Sequence, residues 1–508
     1  MKPFRSSSTA LLAAACLVPI LAAVPARAQT DRPQTGQPQR DQAQTGQAAS
    51  LLAALSLVSF GLLAAPGVAS EVTHDGDHFH VRFPLPGFAA PPDAAIEVVA
   101  TPLDSGIWDI TDLTLPPTGT LATPGTPDRP AQSIRFSIGQ QTAHARIDPT
   151  LSVPSPYAMA LSDIAFHLDT AASPANLTIG QTTLEGTITG DADRRMTTRS
   201  HGTAENWHLT ATTQGGANEG APFSLSMRRS DARYEVDGLD RAQAEHLRQA
   251  VRALAETRQA TPPVAGQPRS MAPAERDQLR AIIEASAGLL SRFDIEETLQ
   301  GLHIETAPGN SGDIGTISLA VSGGAADGRA AMHVDVGLNE LTLAALPTAY
   351  APHRVAIKTA FSGVPIEPLR HLLRQATEAD ADPVSLRTQA IALLNQPGAH
   401  AGIDTLLIEA GPLLLQGSAR LRPLPDGSAG FAVHLTARGV DAMLAQVQSD
   451  PTVQQMLPML FLAKGMGKQQ GDTMVWDIEF ADGVVMVNGV PFGQRGGKGS
   501  GVRPPVNR

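Results

Sequence analysis

The sequence predicts an α+β fold, rich in β, in which two antiparallel twisted sheet units carry amphipathic helices packed between and after them. Three observations lead there. From Val72 onward, short stretches alternate apolar and polar residues and are separated by Gly, Pro, Asp and Asn, the signature of antiparallel strands with one dry and one wet face. Apolar residues return at helical spacing in two separate regions, 240–293 and 365–394. Finally, the order sheet, helices, sheet, helices, hairpin suggests two related β-then-α units, although no residue-level repeat accompanies it.

The chain of 508 residues opens with Lys2 and Arg5, an apolar run from Ala10 to Ala23, and Ala26-Arg27-Ala28. That pattern reads as a cleavable export signal over residues 1–28 and places the expected site of action in the periplasm. The sole cysteine, Cys16, lies inside it, so a chain cleaved after Ala28 has no disulfide, thiolate nucleophile or cysteine metal ligand. Ala13-Ala14-Ala15-Cys16 resembles a lipoprotein processing box weakly, with Ala13 in place of a larger aliphatic residue, and lipidation of Cys16 is the alternative. Residues 29–48 form a Gln- and Pro-rich linker, expected to be disordered. Residues 49–70 hold an apolar helix in which Leu51, Leu55, Val58 and Leu62 share a face. Its core, 51–65, is shorter than the ~20 residues of a transmembrane helix, so burial against the body or peripheral contact with a membrane is preferred to an anchor.

An N-terminal β domain is expected over 71–238, with strands at Ile96–Thr101, Ile107–Leu115, Ile134–Ile138, Ile164–Leu168, Thr182–Thr189, Trp207–Thr212 and Phe223–Met227. A helical hairpin follows over 239–293. Asp240 is the expected N-cap of its first helix, and the second carries Leu279, Ile282, Ile283, Leu289, Leu290 and Phe293 on one face. A C-terminal α+β domain covers 294–494. Its strands between Ile314 and Leu343 place Ile317, Leu319, Val321, Met332, Val334 and Val336 on one side and Ser318, Ser322, His333 and Asp335 on the other. Helices start at Pro365 and at Asp382-Pro383, further strands lie between Ile403 and Val433, and a helical stretch from Val440 to Lys464 is interrupted at Pro451 and Pro458. A hairpin closes the domain, with Met474, Trp476 and Ile478 alternating against Asp477 and Glu479 and with turn residues Asp482-Gly483 and Asn488-Gly489. Residues 495–508 are a Gly- and Pro-rich basic tail, expected to be disordered.

The search for chemistry is largely one of elimination. The formal net charge is −11, and the expected cleavage removes three basic residues and no acid, so nucleic acid is not an expected partner. With Trp 3 and Tyr 3, stacking platforms for bases or sugars are poorly supplied. The chain contains no His-Glu-x-x-His, Gly-x-Ser-x-Gly or Ser-x-x-Lys, and Gly465-Met466-Gly467-Lys468 lacks the Ser or Thr of a phosphate loop. The densest polar cluster is His74-Asp75-Gly76-Asp77-His78-Phe79-His80. Its imidazoles His74, His78 and His80 are weak metal candidates, set against a solvated β-hairpin turning at Asp75-Gly76. Asp477 and Glu479 stand two apart on one strand as an acid and base pair would, and read more simply as a solvated face; His371 and Arg374 likewise fall on the polar side of a helix. No catalytic residue, cofactor or firm metal site is assigned.

In the C-terminal third, the strands Gly417–Arg422 and Phe431–Arg438, the helix Val440-Asp441-Ala442-Met443-Leu444, the helix through Met456 to Leu462, and Asp482-Gly483-Val484-Val485-Met486-Val487-Asn488-Gly489-Val490-Pro491 resemble the end of an uncharacterised family of exported alphaproteobacterial proteins, domain-of-unknown-function family twenty-one twenty-five. Val81-Arg82-Phe83-Pro84-Leu85-Pro86 and Gly238-Leu239-Asp240 are similar to its members as well. The resemblance implies an envelope protein without an assigned activity. The resulting expectation is a non-enzymatic periplasmic protein that binds lipid or another amphiphile on an apolar sheet face lined by Ile317, Leu319, Val321, Met332, Val334, Val336, Met474, Trp476 and Ile478. The alternatives are an ordinary core at those residues, a scaffold recruiting envelope protein partners through sheet edges, and, more distantly, a metal-dependent enzyme built on the His74 to His80 cluster.

Overall fold

The computed structural model describes residues 46–492, apart from 53, 56–69, 86–93, 124–131, 149–152, 170–173, 191–194, 213–220, 261–270, 308–309, 345–346, 348, 425–428, 452 and 482–483. The expected signal peptide, most of the linker and the tail lie outside the described residues. Among the described residues, twenty-two strands belong to a single antiparallel sheet, and the expected division into two sheet units does not appear in the strand pairing. By internal contacts the chain nevertheless divides into two compact units, residues 1–190 with 198–229, and residues 191–197 with 230–508.

In the first unit, a short helix described over residues 46–52 and 54–55 (α1) precedes β1 (Glu71–Asp75), β2 (His78–Pro84), β3 (Ala95–Pro102), β4 (Trp108–Thr114), β5 (Thr118–Thr123), β6 (Gln132–Ser137), β7 (Gln140–Asp148), β8 (Val153–Asp169) and β9 (Ala175–Gly190). β1 to β4 form a meander, and β4 then pairs with β7. β8 is long enough to pair with β7 over its first half and with β6 over its second, while its other edge takes β9. Alternation fixes the inner face: Phe79, Val81 and Phe83 are buried while His78 and His80 are exposed. Leu51, Ala54 and Leu55 of α1 complete the core around Val98, Ala100, Trp108, Ile110 and Ile147. Leu51 is 0% exposed, so the described part of the 51–65 segment is a core helix whose apolar stripe is already used.

β10 (Arg195–Thr212) and β11 (Pro222–Asp240) follow. The observed strands are much longer than the runs predicted from alternation, which mark only parts of β8 to β11. The reason lies in a row of backbone exceptions. Asp163 in β8 and Asn206 in β10 have positive φ, and a Cβ on Gly180 in β9 would stand 3.0 Å from that of Asn206. Such positions interrupt the period of two without ending the strand.

The second unit holds α2 (Arg241–Ala260), α3 (Pro273–Ser286), β12 (Arg292–Ala307), β13 (Asn310–Ala326), β14 (Arg329–Leu343), β15 (Pro352–Pro365), α4 (Ile366–Gln375), α5 (Pro383–Leu394), β16 (His400–Ala410), β17 (Leu413–Pro423), β18 (Ala429–Arg438), α6 (Val440–Ser449), α7 (Leu457–Met466), β19 (Lys468–Gln470), β20 (Thr473–Ala481), β21 (Val484–Val487) and β22 (Val490–Phe492). Helix starts follow the sequence signals. The Asp240 carboxylate accepts from Gln243 N at 3.0 Å, the Asp382 carboxylate accepts from Val384 N and Ser385 N, and Pro365 precedes α4. α2 and α3 pack as the expected hairpin, in which the buried Glu275 accepts from Ala272 N and faces Arg258. Leu289, Leu290 and Phe293 fall beyond α3, so its apolar face is shorter than predicted. The stretch after Val440 breaks once, between α6 and α7, because Pro458 sits in the first turn of α7, where its missing N–H costs nothing.

β12 to β18 pair in sequence order, β18 pairs with β20, and the other edge of β20 is shared by β19 and β21, to which β22 adds. The turn Asn488-Gly489 has both φ values positive, as its sequence predicts. A second kink row crosses β12 to β14: Gly301 and Glu340 have positive φ, and a Cβ on Gly315 between them would lie 2.8 Å from the Glu340 Cβ. The ladder lapses there and resumes in the same register, with Leu302, Ile314 and Leu341 beyond it. Glu340→Gly is expected to raise unfolding free energy by up to about 1 kcal/mol by relieving a left-handed non-glycine residue, whereas Gly315→Ala should lower it by about 1–3 kcal/mol. Denaturant midpoints of the two variants check both signs.

Candidate apolar binding face

Register transmits one face of the second unit across eight strands. A middle row runs Leu319, Val336, Ile357, Leu406, Gly417, Leu435 and Trp476, beginning on β12 at Glu297. Beside it on one side run Ile295, Val321, Val334, Thr359, Ile403, Ala419, Val433 and Ile478. On the other run Leu299, Ile317, Leu338, Val355, Ile408, Leu415, Ala437 and Met474. In an antiparallel sheet, directly paired residues point to the same side, so these rows make one nearly continuous apolar surface. The opposite side is polar and cross-linked by charge: Lys358 pairs with Asp335 at 3.0 Å, His434 with Asp477 at 2.7 Å and Arg422 with Glu479 at 3.2 Å. Asp477 therefore sits in a solvent-exposed cross-strand hydrogen bond with His434, and Glu479 in an exposed ion pair with Arg422.

The nine residues singled out from sequence all lie on the apolar side, but in two groups with different surroundings. Ile317, Leu319, Val321, Met332, Val334 and Val336 belong to the adjacent strands β13 and β14, where Met332 is 45% and Val336 40% exposed. Met474 and Trp476 lie on β20 and are buried in a cluster with Ala437 and Val487, against which Val440, Met466 and Ile478 also pack. Trp476 Nε1 donates to Ala463 O of α7 at 2.8 Å, which fixes that helix over the end of the face. A second cluster, Tyr350, Met443, Val447 and Val453 with Leu457 and Leu460, seats α6 and α7 on the body. Burial pushes the Tyr350 phenol up, and the nearby Asp450 carboxylate adds to the shift.

Away from that end the row residues are half-buried, apart from the exposed Val336. Along β12 to β17, the buried apolar side chains among the described residues are Ala360, Val364 and Ala410, none of which belongs to the three rows. Six strands at the usual spacing make this part of the face roughly 25 Å wide, and three rows along the strands bring it to several hundred Å², on the order of the largest apolar patches of monomeric proteins. Val355, Ile357, Ile403, Leu406, Ile408 and Leu415 were missed from sequence. In β15 the alternating Val355 and Ile357 were available as a signal. In β16 an extra residue between Ile403 and Leu406 places the run Leu406-Leu407-Ile408 out of simple phase.

The histidine cluster does not converge. β1 and β2 join through Gly76 and Asp77, one residue later than predicted, so His74 pairs with Phe79 and takes the side opposite to His78 and His80. The His74 ring lies 6.1 Å from that of Phe79, and His78 Nδ1 is 3.0 Å from Thr101 Oγ1. Among the described residues, no three His, Cys, Asp or Glu side chains are grouped to hold a metal ion. A cleft between α2, α3 and α4 is lined by alanines together with Gln243, His246, Gln278, Glu284 and Arg370. Glu284 is engaged there by Arg374 at 2.9 Å and Arg370 at 3.8 Å, so the carboxylate is neutralised within the protein. Among the described residues, no helix is long and apolar enough to cross a membrane. No protein-family model, no curated protein and no solved structure matches the chain.

Proposed function

We propose that this protein is a non-enzymatic protein of the cell envelope that holds a lipid or another amphiphile on the apolar sheet face of its second unit. The observation that supports it most is that, among the described residues, none of the side chains in the three mostly aliphatic rows crossing β12 to β17 is buried. A sheet with one apolar side ordinarily buries it beneath helices or a second sheet. Here the helices α6 and α7 cover the β18–β20 end, and the remainder is a surface of apolar rows backed by ion pairs. An acyl chain lying across the strands would bury about 25 cal/mol of stabilisation for each Å² of apolar area removed from water. The basic and apolar N-terminus supports export, and the resemblance to the exported family twenty-one twenty-five belongs to the same proposal.

Photocrosslinking tests the placement. A diazirine-bearing fatty acid incubated with the protein is expected to modify peptides of β13 to β16, with Met332 and Val336 the most accessible positions. Adducts confined to other segments, or none at all, would remove the sheet face from the account.

A further inference from the structure

We propose that the C-terminal corner of the second unit docks on an anionic lipid surface through the outer side of α7 and the strand β22. α7 is apolar on both sides. Leu457 and Leu460 face the cluster around Tyr350 and Val447, whereas Met459, Phe461 and Leu462 are 75%, 50% and 53% exposed. On β22, Val490 and Phe492 are 64% and 50% exposed. The two groups are tied together, because Asn488 Nδ2 donates to Met466 O at the end of α7 at 2.8 Å and Asn488 opens the turn into Val490. Five large exposed apolar side chains on two segments joined by that bond exceed what scattered surface hydrophobes explain.

Charge selects the occupant. The chain as a whole is acidic, yet from Gly483 to Arg508 it carries Arg495, Lys498, Arg503 and Arg508 and no acidic residue, and the exposed Lys468 directly follows α7. Exposed apolar side chains followed in sequence by a purely basic stretch are the combination that inserts into an anionic headgroup layer and is held there by its potential. This contact does not depend on whether the sheet face binds lipid.

The chain from residue 29 onward keeps every described residue and contains no cysteine, so Leu462→Cys provides a single labelling site and Gln416→Cys on β17 a control. With an environment-sensitive fluorophore, vesicles containing phosphatidylglycerol are expected to blue-shift the label at 462 and leave that at 416 unchanged, with little effect from pure phosphatidylcholine. Flotation with the same anionic vesicles should weaken about tenfold in Phe461→Asp with Leu462→Asp, and likewise in Val490→Asp with Phe492→Asp. Trp476 emission, read in a background with Trp108→Phe and Trp207→Phe, reports whether α7 remains seated in each variant. No shift at 462 on anionic vesicles, flotation indifferent to both pairs of substitutions, or a shift that grows with protein concentration in the absence of vesicles would overturn the proposal. Loss of flotation with retained lipid on the sheet face separates this contact from the proposed function.

Discussion

Leu51→Ala is expected to lower the unfolding free energy of the first unit by about 2–5 kcal/mol, the range for removing a fully buried leucine that leaves a cavity. Leu51 is 0% exposed and belongs to one cluster with Phe79, Val81, Phe83, Val98, Ala100, Trp108, Ile110 and Ile147. These residues come from β2, β3, β4 and β7, so α1 covers the apolar side of this part of the sheet, as a sheet with one apolar face requires. The neighbouring Leu52 is only partly buried, and Leu52→Ala should cost clearly less. Chemical denaturation followed through Trp108, which lies in the same cluster, reads both. An unchanged midpoint for Leu51→Ala, together with release of the protein from membranes, would instead make this segment an anchor.

The second large effect concerns ligand occupancy with little change in stability. Val334→Asp puts a carboxylate between Val321 and Thr359 in one of the three rows, on a side chain that is only partly buried. Because water can reach the new charge, the fold should lose less than about 2 kcal/mol. A bound acyl chain would have to desolvate that carboxylate, which costs several kcal/mol and is enough to abolish binding. Val475→Asp provides the contrast: Val475 lies on the other side of the sheet and is buried at 6% exposure, so its substitution should damage the fold. The thermal midpoint and lipid content of the two variants should therefore separate in opposite directions.

Much of the local structure was legible from short-range signals. The apolar alternation of Ile317, Leu319 and Val321 against Met332, Val334 and Val336 gives β13 and β14 their faces, and Asp240, Pro365 and Asp382 mark helix starts where the structure has them. Strand lengths were less visible, because positive-φ residues such as Asp163, Asn206 and Glu340 shift the pattern inside continuous strands. The single sheet was not visible, since pairings such as β4 with β7 and β18 with β20 depend on long-range register that no local window contains. The same limit explains the split fate of the expected binding residues. Trp476 and Val336 carry equally apolar side chains on one face, and only the packing of α7 against the first makes it core.

The most direct test of the proposed lipid-holding face is native mass spectrometry, with lipid extraction, on the protein purified gently from its native cells. The account predicts a stoichiometric lipid adduct that disappears in folded Val334→Asp. A clean apo mass for the unsubstituted protein, or an adduct that persists unchanged in that variant, would contradict it.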